Sequence, residues 1–161
     1  MSIVLIPVPL DHLRALAEGR VPATLGYSSE PDALPPAFVA ARALDTIARG
    51  GAEFWCATFY VLRQGDKMLV GGCGFKGDPE DGKVKIGYAI APASRGQGVA
   101  TEAVRQLLSR AFAGGATLVV AEINPANLAS VRVVQKLAFA HRDSYVDDAG
   151  EVLVRWVAGQ V

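Results

Sequence analysis

A strand, a tight turn and the first turn of a helix are predicted by Ile86-Gly87-Tyr88-Ala89-Ile90-Ala91-Pro92-Ala93-Ser94-Arg95-Gly96-Gln97-Gly98-Val99-Ala100-Thr101-Glu102. An apolar run ends just before Pro92, and apolar residues recur at helical spacing from Val99 onward. Gly96 and Gly98 let backbone N–H groups approach an anion without an interfering Cβ, and the helix N-terminus adds about half a positive charge. We therefore expect this turn to bind a large anionic ligand.

Other interpretations of the glycine turn have to be weighed against anion binding. A dinucleotide fold would use Glu122 as its ribose-binding acid, but the third glycine position holds Thr101 and the preceding strands form a meander. A Walker phosphate loop would need a lysine after its second glycine, and none is present. The glycines could also serve only to shape a strand-to-helix turn, and the turn alone does not exclude this.

The length and charge of the chain limit its class. With 161 residues, of which 51% are hydrophobic, we expect a single domain over residues 1–161. Sixteen basic and sixteen acidic residues give a net charge of zero, so we expect no nucleic-acid partner and no binding to an anionic membrane. The N-terminal residues lack a basic segment followed by a long apolar one, and we therefore expect a cytoplasmic protein without membrane spans.

The chain has two cysteines, Cys56 and Cys73, without a CxxC motif or a neighbouring histidine. This pattern argues against a zinc site and against a disulfide framework. We expect both thiols to be free and buried, on the two strands of a hairpin.

Turn residues and apolar periodicity predict the order β-α-α-β-β-β-α-β-α-β-β. Helix 11–18 is expected to be capped by Asp11, and an irregular connection spans residues 20–36. Strands 84–91 and 117–123 flank a helix, so they are predicted to run parallel. The remaining elements are strands 3–9, 54–63 and 68–76, helices 35–49, 99–113 and 124–137, and a closing hairpin of strands 139–146 and 152–157.

With this order, the chain resembles the GCN5-related N-acetyltransferases (GNAT), and most closely their ribosomal-protein-acetylating, Rim-type branch. The signature Arg/Gln-x-x-Gly-x-Gly/Ala is matched by residues 95–100, and the continuation Ala-Thr-Glu-Ala by residues 100–103. A second block, residues 124–139, follows the branch pattern Asn-x-x-Ser-x-Arg-x-x-x-Lys-Leu-Gly-Phe, with Ala138 in place of glycine. Two blocks at the expected interval favour ligand binding over a purely structural turn.

The resemblance implies an α+β, GNAT-like acyl-CoA N-acyltransferase fold with a mostly antiparallel sheet and one splayed parallel pair, 84–91 and 117–123. It implies acetyl-CoA as co-substrate and no metal, with the pyrophosphate on the turn and the pantetheine arm between the splayed strands. It also implies a bulge in strand 84–91 that aims an N–H group at the thioester oxygen. The implied cofactor-binding residues are Tyr88, Ala89, Ile90, Ala91, Arg95, Gly96, Gln97, Gly98, Val99, Ala100, Thr101, Asn127 and Ser130.

The family reaction, attack of a neutral amine on the thioester in a ternary complex, needs a base and a proton donor. Many members supply the donor as a tyrosine seven residues after the pantetheine asparagine, where this chain has Val134. Ser130 is the candidate donor by resemblance, and a serine that only bonds helix backbone is the alternative. The base is less clear, because Lys85 occupies the usual Glu position. Glu122 is the substitute candidate, followed by Tyr88, whereas a solvated strand-end acid or a water chain are the alternatives.

The sequence does not identify the acceptor. By resemblance, the connection 20–36, helix 35–49 and the closing hairpin flank the acceptor site. Our first expectation is an acetyl-CoA-dependent transferase for a protein or peptide α-amine, and a small-molecule amine such as an amino acid, polyamine or aminoglycoside is the alternative. Lys85 and Val134 also allow a catalytically silent acyl-CoA-binding or sensing module. Both a monomer and a homodimer remain open.

Overall fold

A computed structural model describes residues 2–160. In chain order the strands and helices are β1 (Ile3–Pro7), α1 (Leu10–Ala17), β2 (Ser28–Ser29), α2 (Ala37–Ala48), β3 (Thr58–Arg63), β4 (Met68–Phe75), β5 (Lys83–Ile90), α3 (Val99–Ala113), β6 (Leu118–Ile123), α4 (Leu128–Lys136), β7 (Ala140–Val146) and β8 (Val152–Gly159). Short 3-10 turns occupy Glu53–Cys56 and Pro92–Ser94. This order agrees with the prediction apart from the two-residue strand β2, which lies in the connection expected to be irregular.

The strands form one sheet in the order β1-β3-β4-β5-β6-β8-β7, and β2 pairs with β4 outside this path. Most neighbours are antiparallel, whereas β5 and β6 are parallel. This confirms the predicted mixed sheet with its parallel pair. The β5–β6 pairing runs from Lys83↔Leu118 to Ile86↔Ala121, and beyond it no β5 residue pairs with β6 within the described chain. The two strands therefore separate at the end of β5.

Two apolar layers cover the faces of the sheet. On one face α3 contributes Val104 and Leu107, both without solvent exposure, to a core that includes Val84, Ile86 and Val119 of the central strands. On the other face α1 and α2 pack on β3 and β4 through Leu13, Ala40, Tyr60 and Leu69. Burying a side chain of this size contributes about 1.5–3 kcal/mol before entropy is subtracted. Val84 and Ile86 thus fix one face of β5 by packing up to the point where it leaves β6.

Two local predictions were wrong. Helix α1 begins at Leu10 after Pro9, and no side chain caps it, so Asp11 lies in the first turn and not at the cap. Cys56 lies in a 3-10 turn and not on a strand, because the adjacent Phe54 stacks on Phe75 and Trp55 packs against the same ring edge to face. A short apolar run does not distinguish such a turn from a strand. Both cysteines are free and buried, as expected.

The implied bulge in the strand 84–91 is also wrong. The β4–β5 register runs without a shift from Gly71↔Ile90 to Phe75↔Ile86. The free edge of β5 instead results from the loss of its parallel partner. In the described part of the chain, no helix has the length and apolar character needed to cross a membrane.

Candidate active site

The turn before α3 presents a group of unsatisfied backbone donors. Gly96 and Gly98 have φ values of +75° and +81°, in the left-handed region that favours glycine. A Cβ on either residue would meet no atom within 4 Å, so both face open space. Within residues 2–160 the N–H groups of residues 96–101 have no hydrogen-bond acceptor. Together with the helix dipole, these donors form a site for an anion.

A network of hydrogen bonds around the buried Ser94 holds this turn in place. Ser94 is fully buried, and its hydroxyl donates to Glu30. The Arg63 guanidinium donates to the Ser94 hydroxyl at 3.0 Å and to Glu30 at 3.4 Å. The network ties the connection 20–36 and the end of β3 to the anion-binding turn. The sequence analysis did not predict this network, because its three residues are far apart in the chain.

Helix α4 forms the opposite wall. The Asn127 side chain caps it by accepting from the Ser130 backbone N–H at 3.2 Å. The Tyr88 hydroxyl donates to the Ser130 carbonyl at 3.0 Å and thereby joins β5 to α4 across the splay. Burial raises the pKa of Tyr88 to about 12, so this hydroxyl keeps its proton at neutral pH. Tyr88 can therefore donate a hydrogen bond but is a poor base.

The splay, the turn and α4 enclose a cleft of about 300 Å³, called here the cofactor cleft. Its walls contain eleven of the thirteen predicted cofactor residues, while Gln97 and the fully buried Ala91 are absent from them. Two exposed cations that sequence reasoning did not assign, Arg132 and Lys136, also line it. Both belong to the second sequence block and lie one turn apart on α4. This spacing could have assigned them to the cleft from the sequence. The lining residues are Tyr88, Ala89, Ile90, Ser94, Arg95, Gly96, Gly98, Val99, Ala100, Thr101, Asn127, Ala129, Ser130, Arg132, Val133 and Lys136.

Glu122, the candidate base, lies in an ion-pair cluster outside this cleft. Its side chain is 8% exposed, 3.2 Å from Lys85 Nζ and 3.5 Å from Arg155 Nε. Desolvation raises the pKa of this carboxyl, but the Tyr145 hydroxyl and two lysine ammonium groups outweigh it, so the pKa lies below its usual value. A low pKa weakens a carboxylate as a base. Its catalytic role stays a prediction.

A second cleft of about 240 Å³ opens on the face of the sheet that carries α2, and we call it the acceptor pocket. It is bounded by residues 32–36, by α2 and by the facing ends of β4 and β5. Tyr88 and Ala89 line both this pocket and the cofactor cleft. The two clefts therefore approach β5 from opposite faces and meet where it leaves β6. Among the residues described, no group of three or more His, Cys, Asp or Glu could hold a metal ion.

The model of the acetyltransferase (GNAT) domain family matches residues 3–140. Two curated relatives are each 31% identical to this chain: the uncharacterized N-acetyltransferase YjdG of Bacillus subtilis strain 168, over 84 residues, and the uncharacterized N-acetyltransferase p20 of Bacillus licheniformis, over 83 residues. The matches cover 51% and 50% of this chain, respectively. The chain spans about half the length of these relatives, 50% and 47%.

Solved structures of similar fold span nearly the whole chain at low identity. An aminoglycoside acetyltransferase AAC(6')-Ib in complex with coenzyme A has a TM-score of 0.69 at 18% identity, covering 99% of this chain and 95% of its own. RimJ of Mycobacterium smegmatis in complex with CoA-disulfide has a TM-score of 0.69 at 18% identity, covering 98% and 81%. A chimaera of the Vibrio cholerae spermidine N-acetyltransferase SpeG and hSSAT has a TM-score of 0.69 at 13% identity, covering 99% and 96%. These likenesses establish the fold.

Proposed function

This chain belongs to the GNAT acetyltransferase family, and from this premise we propose that it is an acetyl-CoA-dependent N-acetyltransferase with a single domain over residues 1–161. One observation carries the proposal. Two clefts on opposite faces of the sheet meet at Tyr88 and Ala89, and one of them ends in the free N–H groups of residues 96–101. This arrangement would let an acyl donor and an amine acceptor approach each other from opposite sides of the sheet.

The residues present fit coenzyme A. A pyrophosphate needs several converging donors, and the six free N–H groups at the α3 N-terminus supply them without an obstructing Cβ. An extended pantetheine arm needs an unpaired strand edge, and β5 offers one beyond Ile86. Arg132 and Lys136 add positive charge on the facing helix. Acetyl-CoA, when bound, supplies the acyl group as an activated thioester.

In the proposed reaction the acceptor amine attacks directly in a ternary complex. Backbone N–H groups on the free edge of β5 would polarise the carbonyl, a type of contact worth about 3 kcal/mol at comparable sites. Ser130 lines the cofactor cleft, and its hydroxyl is the proposed proton donor to the departing sulfur. Asn127 would hold the arm while its side chain caps α4. Glu122 or a water chain is the proposed route for the proton of the amine.

For the acceptor we propose a protein or peptide α-amine, as in the Rim-type branch. The support is the pair of sequence blocks at residues 95–103 and 124–139. RimL and RimJ are among the proteins of similar fold, as are polyamine and aminoglycoside acetyltransferases. An acetyltransferase of small-molecule amines is therefore the alternative within the family.

A silent acyl-CoA-binding module is the second candidate function. It is favoured by the position of Glu122, which is held by Lys85 and Arg155 and lines neither cleft. Such a module would bind acetyl-CoA in the same cleft and acetylate nothing.

Calorimetry and a thiol-release assay separate these functions. We expect acetyl-CoA to bind and free thiol to appear with at least one amine from a panel of peptides, amino acids, polyamines and aminoglycosides. Binding of acetyl-CoA without thiol release on any amine would support the silent acyl-CoA-binding module and contradict the transferase. Absence of binding at millimolar protein and ligand would contradict both functions.

A further inference from the structure

The charged groups of the acceptor pocket are mostly cationic. Its wall contains Arg42 from α2 and Lys76 just after β4, together with a single carboxylate, that of the exposed Asp32. Lys76 is half-buried, and its side chain lies against β5, because a Cβ on Gly87 would be 3.1 Å from Lys76 Cε and 3.9 Å from Lys76 Nζ. The ammonium group is thus beside the residues shared by the two clefts.

These two cations lack the partners that neighbouring cations have. Lys85 pairs with Glu122 at 3.2 Å, and Arg155 pairs with Asp143 at 3.0 Å. Arg42 and Lys76 form no ion pair with any residue between 2 and 160. Glu122 and Asp143 are thus paired with other cations, and the pocket wall holds two cations against the one carboxylate of Asp32.

The ionisation of both groups reflects this environment. Burial lowers the pKa of Lys76, and the charges of Arg42 and Lys85 lower it further, although Glu122 acts in the opposite direction. Partial desolvation also lowers the pKa of Arg42, which is an exposed residue of α2. An anion bound beside Lys76 would compensate its ammonium group for the lost hydration and for the repulsion by Arg42 and Lys85. A polycation entering the same pocket would meet repulsion.

We infer that the acceptor is an amine with a carboxylate close to the reacting nitrogen, bound by Arg42 and Lys76. The inference rests on the proposed function and specifies its substrate class. Two sources have this chemistry: a free amino acid, through its α-carboxylate, and a peptide with an acidic residue near its N-terminus. Spermidine and aminoglycosides lack a carboxylate and carry several positive charges.

Matched acceptors test the inference through thiol release at saturating acetyl-CoA. The first arm compares phenylalanine with phenylalanine amide, and the second compares amidated peptides with Asp or Asn at the second position. Spermidine and kanamycin complete the panel. We expect kcat/KM to be at least about tenfold higher for the carboxylate member of one pair. The more weakly basic amine of phenylalanine amide would favour that acceptor on reactivity alone, so the first arm reports recognition. A preference in the first arm identifies a free amino acid, and a preference in the second identifies an acidic peptide.

Charge-neutral variants assign the recognition to its residues. Arg42→Gln and Lys76→Gln should each raise the acceptor KM about tenfold on the carboxylate substrate, with little change on its neutral partner. Lys76→Arg keeps the charge and should restore most of the affinity. Arg49→Gln is the matched control, because Arg49 lies just after α2, pairs with Asp45 and is exposed. It should leave all rates unchanged.

The outcomes separate this inference from the proposed function. Equal or faster turnover of the neutral acceptor in both pairs, or of spermidine or kanamycin, would overturn the carboxylate requirement while acetyl transfer stands. The same follows if Arg42→Gln and Lys76→Gln weaken acid and neutral acceptors equally. Absence of thiol release from every amine would overturn the proposed function, and the inference with it.

Discussion

At the scale of single residues, Ser130 connects the two sides of the cofactor cleft. Its backbone carbonyl accepts from Tyr88, its N–H donates to Asn127, and its half-buried side chain lines the cleft. The backbone contacts do not depend on the side chain, so the hydroxyl can be removed without breaking them. The contribution of the hydroxyl to catalysis can thus be measured separately from its contribution to structure.

The substitution Ser130→Ala should lower kcat about tenfold, equivalent to about 1.4 kcal/mol of transition-state stabilisation. The affinity for acetyl-CoA should change less than twofold, because Asn127 and the 96–101 donors remain. Steady-state kinetics with calorimetry measure both quantities, and Ser109→Ala on the exposed side of α3 is the control. An unchanged kcat would remove Ser130 from the proposed mechanism.

At the scale of elements, the turn between β5 and α3 combines a left-handed glycine backbone with free N–H donors. Its glycines adopt left-handed φ values, and the N–H groups of residues 96–101 are free. The Glu30–Arg63–Ser94 network holds the turn in place through Ser94. A glycine in this conformation can serve only to let the backbone turn, or it can also leave space for a ligand beside the backbone. A comparison with another glycine of the same conformation distinguishes these roles.

Gly98→Ala and Gly150→Ala provide this comparison. The two glycines have φ values of +81° and +82°, and a Cβ added to either would meet no atom within 4 Å, but Gly150 lies in the β7–β8 turn. Each alanine should lower the free energy of unfolding by a similar ~1–2 kcal/mol, since an L-residue is strained there. Only Gly98→Ala should also weaken acetyl-CoA binding, by about tenfold. Equal affinities of the two variants for acetyl-CoA would contradict pyrophosphate binding at this turn.

At the scale of the whole molecule, one sheet separates the two clefts. The cofactor cleft and the acceptor pocket both reach Tyr88 and Ala89 of β5, and the helices that border them pack through cores on opposite faces of the sheet. Because every strand from β1 to β8 belongs to this sheet, neither cleft has a separate structural unit to support it. Folding and cofactor binding should therefore be thermodynamically linked.

We expect thermal unfolding in one cooperative transition whose midpoint rises with coenzyme A. At a ligand concentration about 100 times Kd the stabilisation should be about 2.7 kcal/mol, or about 5–10 °C for a domain of this size. Calorimetry over a coenzyme A series checks this shift, with Gly98→Ala as the weakened control. Two separate transitions would argue against a single domain, and an unchanged midpoint would argue against binding.

The sequence by itself determined the order of the elements, the parallel pair and the glycine turn, because apolar periodicity and turn residues act over short distances. It also predicted most of the residues that line the cofactor cleft, since those residues cluster in two sequence blocks. Only the tertiary structure decided what depends on distant contacts: the Glu30–Arg63–Ser94 network, the ion pairs that hold Glu122, and the unpaired charges of Arg42 and Lys76. These groups lie far apart in the chain, and no local pattern encodes which charges remain without a partner once the sheet has formed.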